Sequence, residues 1–475
     1  MMNTALFIPE LFLLLGCLII FIQSLGKSDD SRYVRSTAIL VAVINFTTCF
    51  ISIGLDGSLF FGAYKIDLFS QFIKMLIAAG LCILLLFSRE LKDIDEGIRK
   101  EYYLFLMLSV LGLEMLISSV ELLAIFISLE LSSFSLYLLV PMRNDRNGMR
   151  TQMEAAIKYI LFGVVATGVM LFGMSYLFGL TGTTYLYELV PAIADIATTP
   201  AAVVGLAMVM GGFFFKLGVF PFHFWLPDIY QGASNETTAF ISSVPKVAAV
   251  ALLIRIAHMA APAGETIGTL LMMLAIFSMF YGNLLALVQK DIKRMLGFSG
   301  IAHAGYVLLG IITLKDTGFA VAIYYILGYM IMNLACFLVI CTASKDGENL
   351  LIEDLAGLHK RAPFLALTLA VSMFALAGIP PFVGFMGKFM LLTGAFREGY
   401  TWLVILAALN TAISIFYYLS VVRISFCSDP EDRPTLEVDA TTRIISVFLI
   451  AIIIVLGVIP AGFVEMARTA VLSIM

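Results

Sequence analysis

The chain has 475 residues, 61% of them hydrophobic and only 13% charged, with a mean hydropathy of +1.01. A soluble protein is near half apolar and about a quarter charged, so this composition excludes a water-soluble catalytic domain, and no polar stretch is long enough to fold alone. Lys and Arg number 29 against 33 Asp and Glu, a net charge of −4, which gives no reason to expect a nucleic-acid partner.

Cut at clusters of charge and turn residues, the chain falls into fourteen apolar runs: 5–25, 34–54, 67–87, 102–119, 120–141, 154–179, 201–220, 236–258, 266–288, 294–314, 317–342, 363–395, 401–424 and 442–466. A helix needs roughly 20 residues to cross a hydrocarbon core of about 30 Å. The expected fold is therefore an all-α polytopic membrane protein of about 14 transmembrane helices. The stretch around Ser118-Ser119 must fold into a tight hairpin, because it is too long for a single crossing. No basic leader precedes the first run, which reads as a retained helix and not as a cleaved signal peptide.

The basic residues give the orientation. Odd-numbered connections hold 19 of them, among them Lys27, Arg32, Arg89, Arg143, Arg146, Lys290, Lys360 and Arg443; the even-numbered connections and the C-terminus hold four, Lys65, Lys315, Arg397 and Arg468. Both termini are expected on the non-cytoplasmic side.

Six basic residues remain inside the runs: Lys74, Lys158, Lys216, Lys246, Arg255 and Lys388. An isolated ammonium at mid-membrane costs at least about 2.5–3.5 kcal/mol. Lys74 and Arg255 lie near span ends, where snorkelling to the interface relieves that cost. Lys216, Lys246 and Lys388 instead sit beside helix-breaking residues. Lys216 precedes Gly218 and Pro221 in span seven, Pro245 directly precedes Lys246 in span eight, and Gly378-Ile379-Pro380-Pro381 precedes Lys388 in span twelve. Unwound backbone at membrane depth survives only against protein or a water-filled cavity, so three lysines at three breaks point to a hydrated interior path.

A weak internal repeat agrees. Ala156-Ile157-Lys158-Tyr159-Ile160-Leu161 in span six resembles Ala322-Ile323-Tyr324-Tyr325-Ile326-Leu327 in span eleven, and a broken span follows each. Five spans separate the members of each pair, and an odd number of spans inverts the second copy, a recurring transporter plan. Glu130, near the middle of span five, is the expected acidic partner of Lys216, with Glu114 as a rival and Glu121 interfacial. A carboxylate whose approach favours the ammonium form and whose withdrawal disfavours it makes a proton-loading switch.

Other chemistries lack their residues. The six cysteines are scattered with no C-x-x-C pair, and no H-E-x-x-H, phosphate-binding loop or dinucleotide fingerprint occurs, which argues against an iron–sulfur or zinc site, ATP-driven work or a nicotinamide site. The Phe213–Phe215 run and the many methionines read as packing. His223 reads as structural, at the end of the broken span seven, and His303 either packs two helices or takes part in the path.

Several stretches carry a family resemblance over nearly the whole chain: Leu129-Glu130-Leu131-Ser132-Ser133, the sequence from Lys216 through Pro221, His223, Trp225, Pro227 and Asp228 to Tyr230-Gln231-Gly232-Ala233, Pro245-Lys246, Gly300-Ile301-Ala302-His303-Ala304-Gly305-Tyr306, and Leu376 to Phe389. In these the chain resembles the antiporter-like membrane subunits of respiratory complex I, the proton-pumping NADH:quinone oxidoreductase, and within that family the chain N branch, called subunit 2 in mitochondria and plastids. The resemblance implies that Glu130 and Lys216 form a modulating ion pair, that Lys246 is a central relay lysine, and that Lys388 is the terminal donor. Lys158 and His303 fall in characteristic stretches with less settled roles. It also implies a division into three N-terminal helices (1–101), a five-helix repeat of spans four to eight (102–258), an inverted repeat of spans nine to thirteen (266–424) and a C-terminal helix (442–475). No flavin, iron–sulfur cluster or metal is implied in this chain; these and the quinone belong to partner subunits, alongside antiporter-like paralogues and small membrane chains, in the bacterial inner membrane. The alternatives are a subunit of a multi-component sodium/proton antiporter, which shares this ancestry, and a membrane scaffold that has lost pumping.

Overall fold

The computed structural model describes every residue except 1–3, 27–30, 146–147, 149, 197–198, 260, 262–263 and 430–432; Lys27 and Arg146 of the charge count therefore lie outside the described residues. A short hairpin, β1 (Gly57–Leu59) with β2 (Tyr64–Ile66), is the only two-stranded sheet among the described residues, and helices make up nearly all the rest. The first half contains α1 (Ile8–Ser24), α2 (Arg32–Ile51), α3 (Leu68–Phe87), α4 (Arg99–Ser118), α5 (Leu122–Leu139), α6 (Thr151–Thr181), α7 (Leu186–Ala194), α8 (Pro200–Leu217), α9 (Leu226–Gly232) and α10 (Asn235–Met259). The second contains α11 (Gly264–Ala286), α12 (Ile292–Ile311), α13 (Asp316–Ala343), α14 (Leu358–Arg361), α15 (Pro363–Ala377), α16 (Val383–Arg397), α17 (Thr401–Cys427), α18 (Ala440–Val458) and α19 (Ala461–Leu472).

Helix starts follow local chemistry. Asp67 caps α3 by accepting from the Ser70 amide at 2.7 Å, Asp291 caps α12 through the Arg294 amide at 3.0 Å, and Glu121 caps α5 through the Ala124 amide at 2.7 Å, each satisfying an amide left without a partner in the first turn. α4 ends at Ser118 and α5 starts at Leu122, so the expected hairpin falls at Ser118-Ser119, pinned by a bridge from Ser119 to Tyr64.

Among the described residues, twelve helices are long and apolar enough to cross a membrane by length and composition. The two further runs expected to cross hold α12, which carries Lys293 and Arg294 in its first turn, and the pair α15 and α16 with a gap between them. Outer helices turn large apolar side chains outward, among them Ile22, Leu40, Ile127, Phe416 and Ile444. A water-soluble protein would not expose such a belt, so the chain is a multi-pass membrane protein. At the centre α10 is buried along almost its whole length, only His258 being partly exposed, and α13 is buried over most of its length. Glycines let helices meet closely: a Cβ on Gly112 would stand 2.5 Å from the Ser132 amide, and one on Gly282 2.5 Å from the Ala302 amide. Close backbone approach of this kind is how helices pack where no hydrophobic force drives them together.

Two expectations about buried charge are corrected. Lys74 and Arg255 do not snorkel: Lys74 is fully buried against Glu10, and Arg255 reaches both carboxylate oxygens of Asp67 at 2.9 and 3.0 Å. Each has found a carboxylate inside the bundle, which removes the need to reach the interface. Span eight is not broken at Pro245 either, because α10 runs unbroken from Asn235 to Met259. A proline costs one amide donor and crowds one turn, and close burial on all sides holds the helix through that single defect.

Candidate functional site

The two remaining breaks are real and locally alike. α8 stops at Leu217, and Gly218 takes a left-handed conformation with φ 77°, its amide donating to Phe214 and Phe215 carbonyls while the Val219 amide donates to Phe214. α15 stops at Ala377, and Gly378 has φ 85°, with its amide on Phe374 and Ala375 and the Ile379 amide on Phe374. A left-handed glycine of this kind ends a helix by folding the chain back onto its last carbonyls. Proline follows in both, at Pro221 and at Pro380-Pro381, and keeps the helix from resuming at once.

The lysines at these breaks are held differently. Lys216 lies in the last turn of α8, 4% exposed, and its Nζ has no hydrogen-bond partner. The nearby helix end is served by Trp225, whose Nε1 donates to the Phe215 carbonyl at 3.0 Å. Glu130 is half-buried in the middle of α5, and its Oε1 is also unpartnered. Glu130 is the carboxylate that acts electrostatically on Lys216, yet no ion pair within 4.0 Å joins them. The expected ion pair is not formed here. Glu114, the rival partner, is engaged elsewhere, accepting from Asn45 Nδ2 at 2.6 Å.

Lys388, on α16, reaches back across the second break and donates to the carbonyls of Leu376 at 3.0 Å and Ala377 at 3.1 Å. An ammonium on the last carbonyls of a helix meets both unpaired acceptors and the negative end of the helix dipole. Its Nζ also lies 4.9 Å from the centre of the Tyr306 ring.

Between the breaks, Lys246 on α10 donates to Tyr329 Oη at 3.2 Å and stands 5.0 Å from that ring's centre and 5.9 Å from the Tyr230 ring. Its space exists because residue 300 is glycine: a Cβ there would come within 3.0 Å of Lys246 Nζ and 2.8 Å of Tyr329 Oη. His303 on α12 is held by two phenols, Nδ1 to Tyr325 Oη at 2.7 Å and Nε2 to Tyr418 Oη at 3.1 Å, with its ring centre 4.9 Å from that of Tyr329. Tyr306 adds a hydroxyl bonded to the Ala407 carbonyl at 2.9 Å and to Thr411 at 2.7 Å. The result is a buried array of Lys246, Tyr329, His303, Tyr325, Tyr306 and Lys388. Phenol and imidazole both donate and accept; the hydrogen bonds form separate groups, Lys246 with Tyr329 and Tyr325 with His303 and Tyr418, and ring contacts connect them to each other and to Lys388. The tyrosines were missed as site residues in the sequence; the spacing of Tyr325 and Tyr329, one helical turn apart on α13, was the available signal.

Leu226 packs against both Gly218, just after Lys216, and Gly300, beside Lys246, as contacts to Cβ positions there show. An apolar side chain thus adjoins both lysine sites, and no hydrogen bond joins Lys216 to Lys246. Lys158 is not brought into the buried set: it is 37% exposed and pairs with Glu154 and Asp228, both at 2.7 Å. Asp228, in α9 beyond the span, also takes Arg294 at 2.6 Å. Burial opposes ionisation of Asp228, but the hydrogen bonds from Lys158 and Arg294 outweigh it and hold the carboxyl below the usual range. His223 packs against Phe220, Phe224 and Tyr281 with both ring nitrogens unpartnered. Among the described residues no group of three or more His, Cys, Asp or Glu is placed to hold a metal.

A bundle with two interrupted helices and buried lysines beside phenols and an imidazole has the architecture of an antiporter-like membrane subunit. The family model described as NADH:quinone oxidoreductase/Mrp antiporter, transmembrane, matches residues 119–414. NADH-quinone oxidoreductase subunit N 2 of Opitutus terrae is 50% identical over 98% of this chain and 98% of its own, and the chain belongs to the subunit N family of NADH-quinone oxidoreductase. Among solved structures, a chain of respiratory complex I from Thermus thermophilus is 29% identical, with a TM-score of 0.83 over 96% of this chain and 98% of that one. A chain of the Mrp complex from Dietzia sp. shares the fold at a TM-score of 0.86 and 19% identity, over 99% of this chain and 97% of that one.

Proposed function

We propose that this chain is the proton-translocating membrane subunit of an NADH:quinone oxidoreductase, and that Glu130, Lys216, Lys246 and Lys388, with His303 between the last two, carry the proton. The observation that supports this reading most is the buried array from Lys246 through Tyr329, His303 and Tyr325 toward Lys388. Quinone reduction elsewhere in the complex shifts the charges along the membrane arm; movement of Glu130 relative to Lys216 changes how readily the lysine holds its proton, and the proton then passes to Lys246 and along the phenols. Lys158, paired at the edge of the bundle, steadies α6 against α9 and stands outside the transfer itself. The apolar Leu226 between the first two lysine sites acts as the barrier that water must bridge when the path opens.

On this reading the chain has fourteen crossings. These comprise three N-terminal helices (1–101), two five-helix units of inverted sense (102–258 and 266–424) and a closing segment (442–475), with both termini outside the cytoplasm and the chain in the inner membrane. The closing segment is divided at Ile459-Pro460 into α18 and α19 and is not the single helix expected. The matching hydrogen-bond patterns at Gly218 and Gly378 support the paired units. The chain has no redox centre of its own; flavin, iron–sulfur clusters and quinone are carried by partner subunits, and its neighbours are the other membrane subunits. The test is the assembled complex in closed vesicles with Lys246→Ala: proton uptake coupled to NADH:quinone turnover is expected to fall by about tenfold or more, the scale of losing a proton-transfer group. Full activity with unchanged proton uptake would mean a scaffold.

A further inference from the structure

The first four helices enclose a second charged cluster that takes no part in the array above. Glu10 on α1, Lys74 on α3 and Glu114 on α4 are all 0% exposed. Lys74 Nζ stands 2.5 Å from Glu10 Oε1. The phenol of Tyr64 donates to the same oxygen at 2.6 Å and receives Lys74 Nζ at 3.4 Å. Glu114 accepts from Asn45 Nδ2 at 2.6 Å and lies within electrostatic reach of both Glu10 and Lys74. Cys49 on α2, whose Sγ meets Asn45 Oδ1 at 3.9 Å, and Cys82 on α3 complete the titratable groups nearby.

The charges do not balance. Glu10 and Lys74 neutralise one another, and Glu114 is left with a neutral amide as its sole donor. Oε2 of Glu10 and Oε2 of Glu114 are both buried with no partner. An uncompensated carboxylate away from water costs several kcal/mol, and a group so placed neutralises instead. A metal ion would need more ligands than two carboxyls supply and would face the Lys74 ammonium. A proton needs no coordination shell.

We propose that the Glu10–Lys74–Glu114 cluster is a proton-binding site separate from the lysine relay, holding one proton between its two carboxyls. The site stands independently of how the relay works. Its arithmetic gives a sharp test by infrared spectroscopy of the assembled complex carrying this chain, read in the carboxylic C=O stretch. Glu114→Gln is expected to abolish one protonated-carboxyl band, and Glu10→Gln the same band, because either change leaves one carboxylate facing one ammonium. Lys74→Met is expected to raise that absorption about twofold, since both carboxyls must then be neutral. A Glu114→Gln complex that keeps the parent's full C=O absorption overturns the proposal. Where a Gln variant fails to assemble, Glu114→Asp retains the carboxyl and is expected to shift the band; an unshifted band overturns the proposal equally.

Discussion

The two interrupted helices share a backbone and use their lysines in opposite ways. At Gly218 the helix end is satisfied by its own amides and by the indole of Trp225, so Lys216 is left without a hydrogen bond. At Gly378 the indole is missing, and Lys388 itself supplies the donor to Leu376 and Ala377. A charge held by nothing but a carboxylate more than 4.0 Å away responds to any movement of that carboxylate. A charge bonded to fixed backbone carbonyls does not. On the proposed function, the first break would load and release a proton under remote control, and the second would keep one at a fixed place until it leaves.

The largest expected effect comes at the second break. Lys388→Met removes both the transferable proton and the cap, so proton uptake in vesicles and the amount of assembled subunit should fall together; each lost charged hydrogen bond is worth about 1.5–3 kcal/mol. Lys216→Met should separate the two readouts, lowering proton uptake about tenfold or more while assembly and thermal stability stay at the parent's level, because no hydrogen bond is lost. An equal stability loss in both variants would erase the contrast. Trp225→Phe keeps most of the ring packing but leaves the Phe215 carbonyl short of a donor, an effect of about 1 kcal/mol on thermal unfolding, with Lys216 drawn toward the vacant acceptor and turnover reduced. The smallest effect concerns Asp228. Its carboxyl is held below the usual range, so its ion pairs contribute stability that is complete above the unfolded value of about 4 and is lost as pH falls through the lower folded value. Asp228→Asn should lower the thermal stability of the complex at neutral pH by what those pairs contribute, and bring variant and parent together in acid, where the parent has lost the same contribution.

The N-terminal helices offer another contrast with the relay. Lys74 and Arg255 looked like interfacial residues because each is near the end of an apolar run. Sequence distance to a span end measures depth, and says nothing of a carboxylate arriving from another helix. Glu10 lies 64 residues from Lys74 and Asp67 lies 188 from Arg255. The same limit hid the tyrosines: Tyr325 and Tyr418 are 93 positions apart by number and meet on the two nitrogens of one imidazole. Pro245 failed in the other direction, since a residue that breaks an exposed helix is carried by one enclosed on every side.

Composition and hydropathy by themselves determined the membrane class and the rough extent of the helices, because the bilayer imposes one length and one polarity on every crossing. Glycine and proline marked both breaks, since backbone conformation is a local property. The buried lysines announced themselves by their cost. What each charge meets was decided by tertiary structure alone: Lys216 open to Glu130, Lys388 on backbone carbonyls, Lys246 on a phenol, Glu114 on an amide. Those contacts join helices distant in the chain, and electrostatics depends on separation in space, not along the sequence.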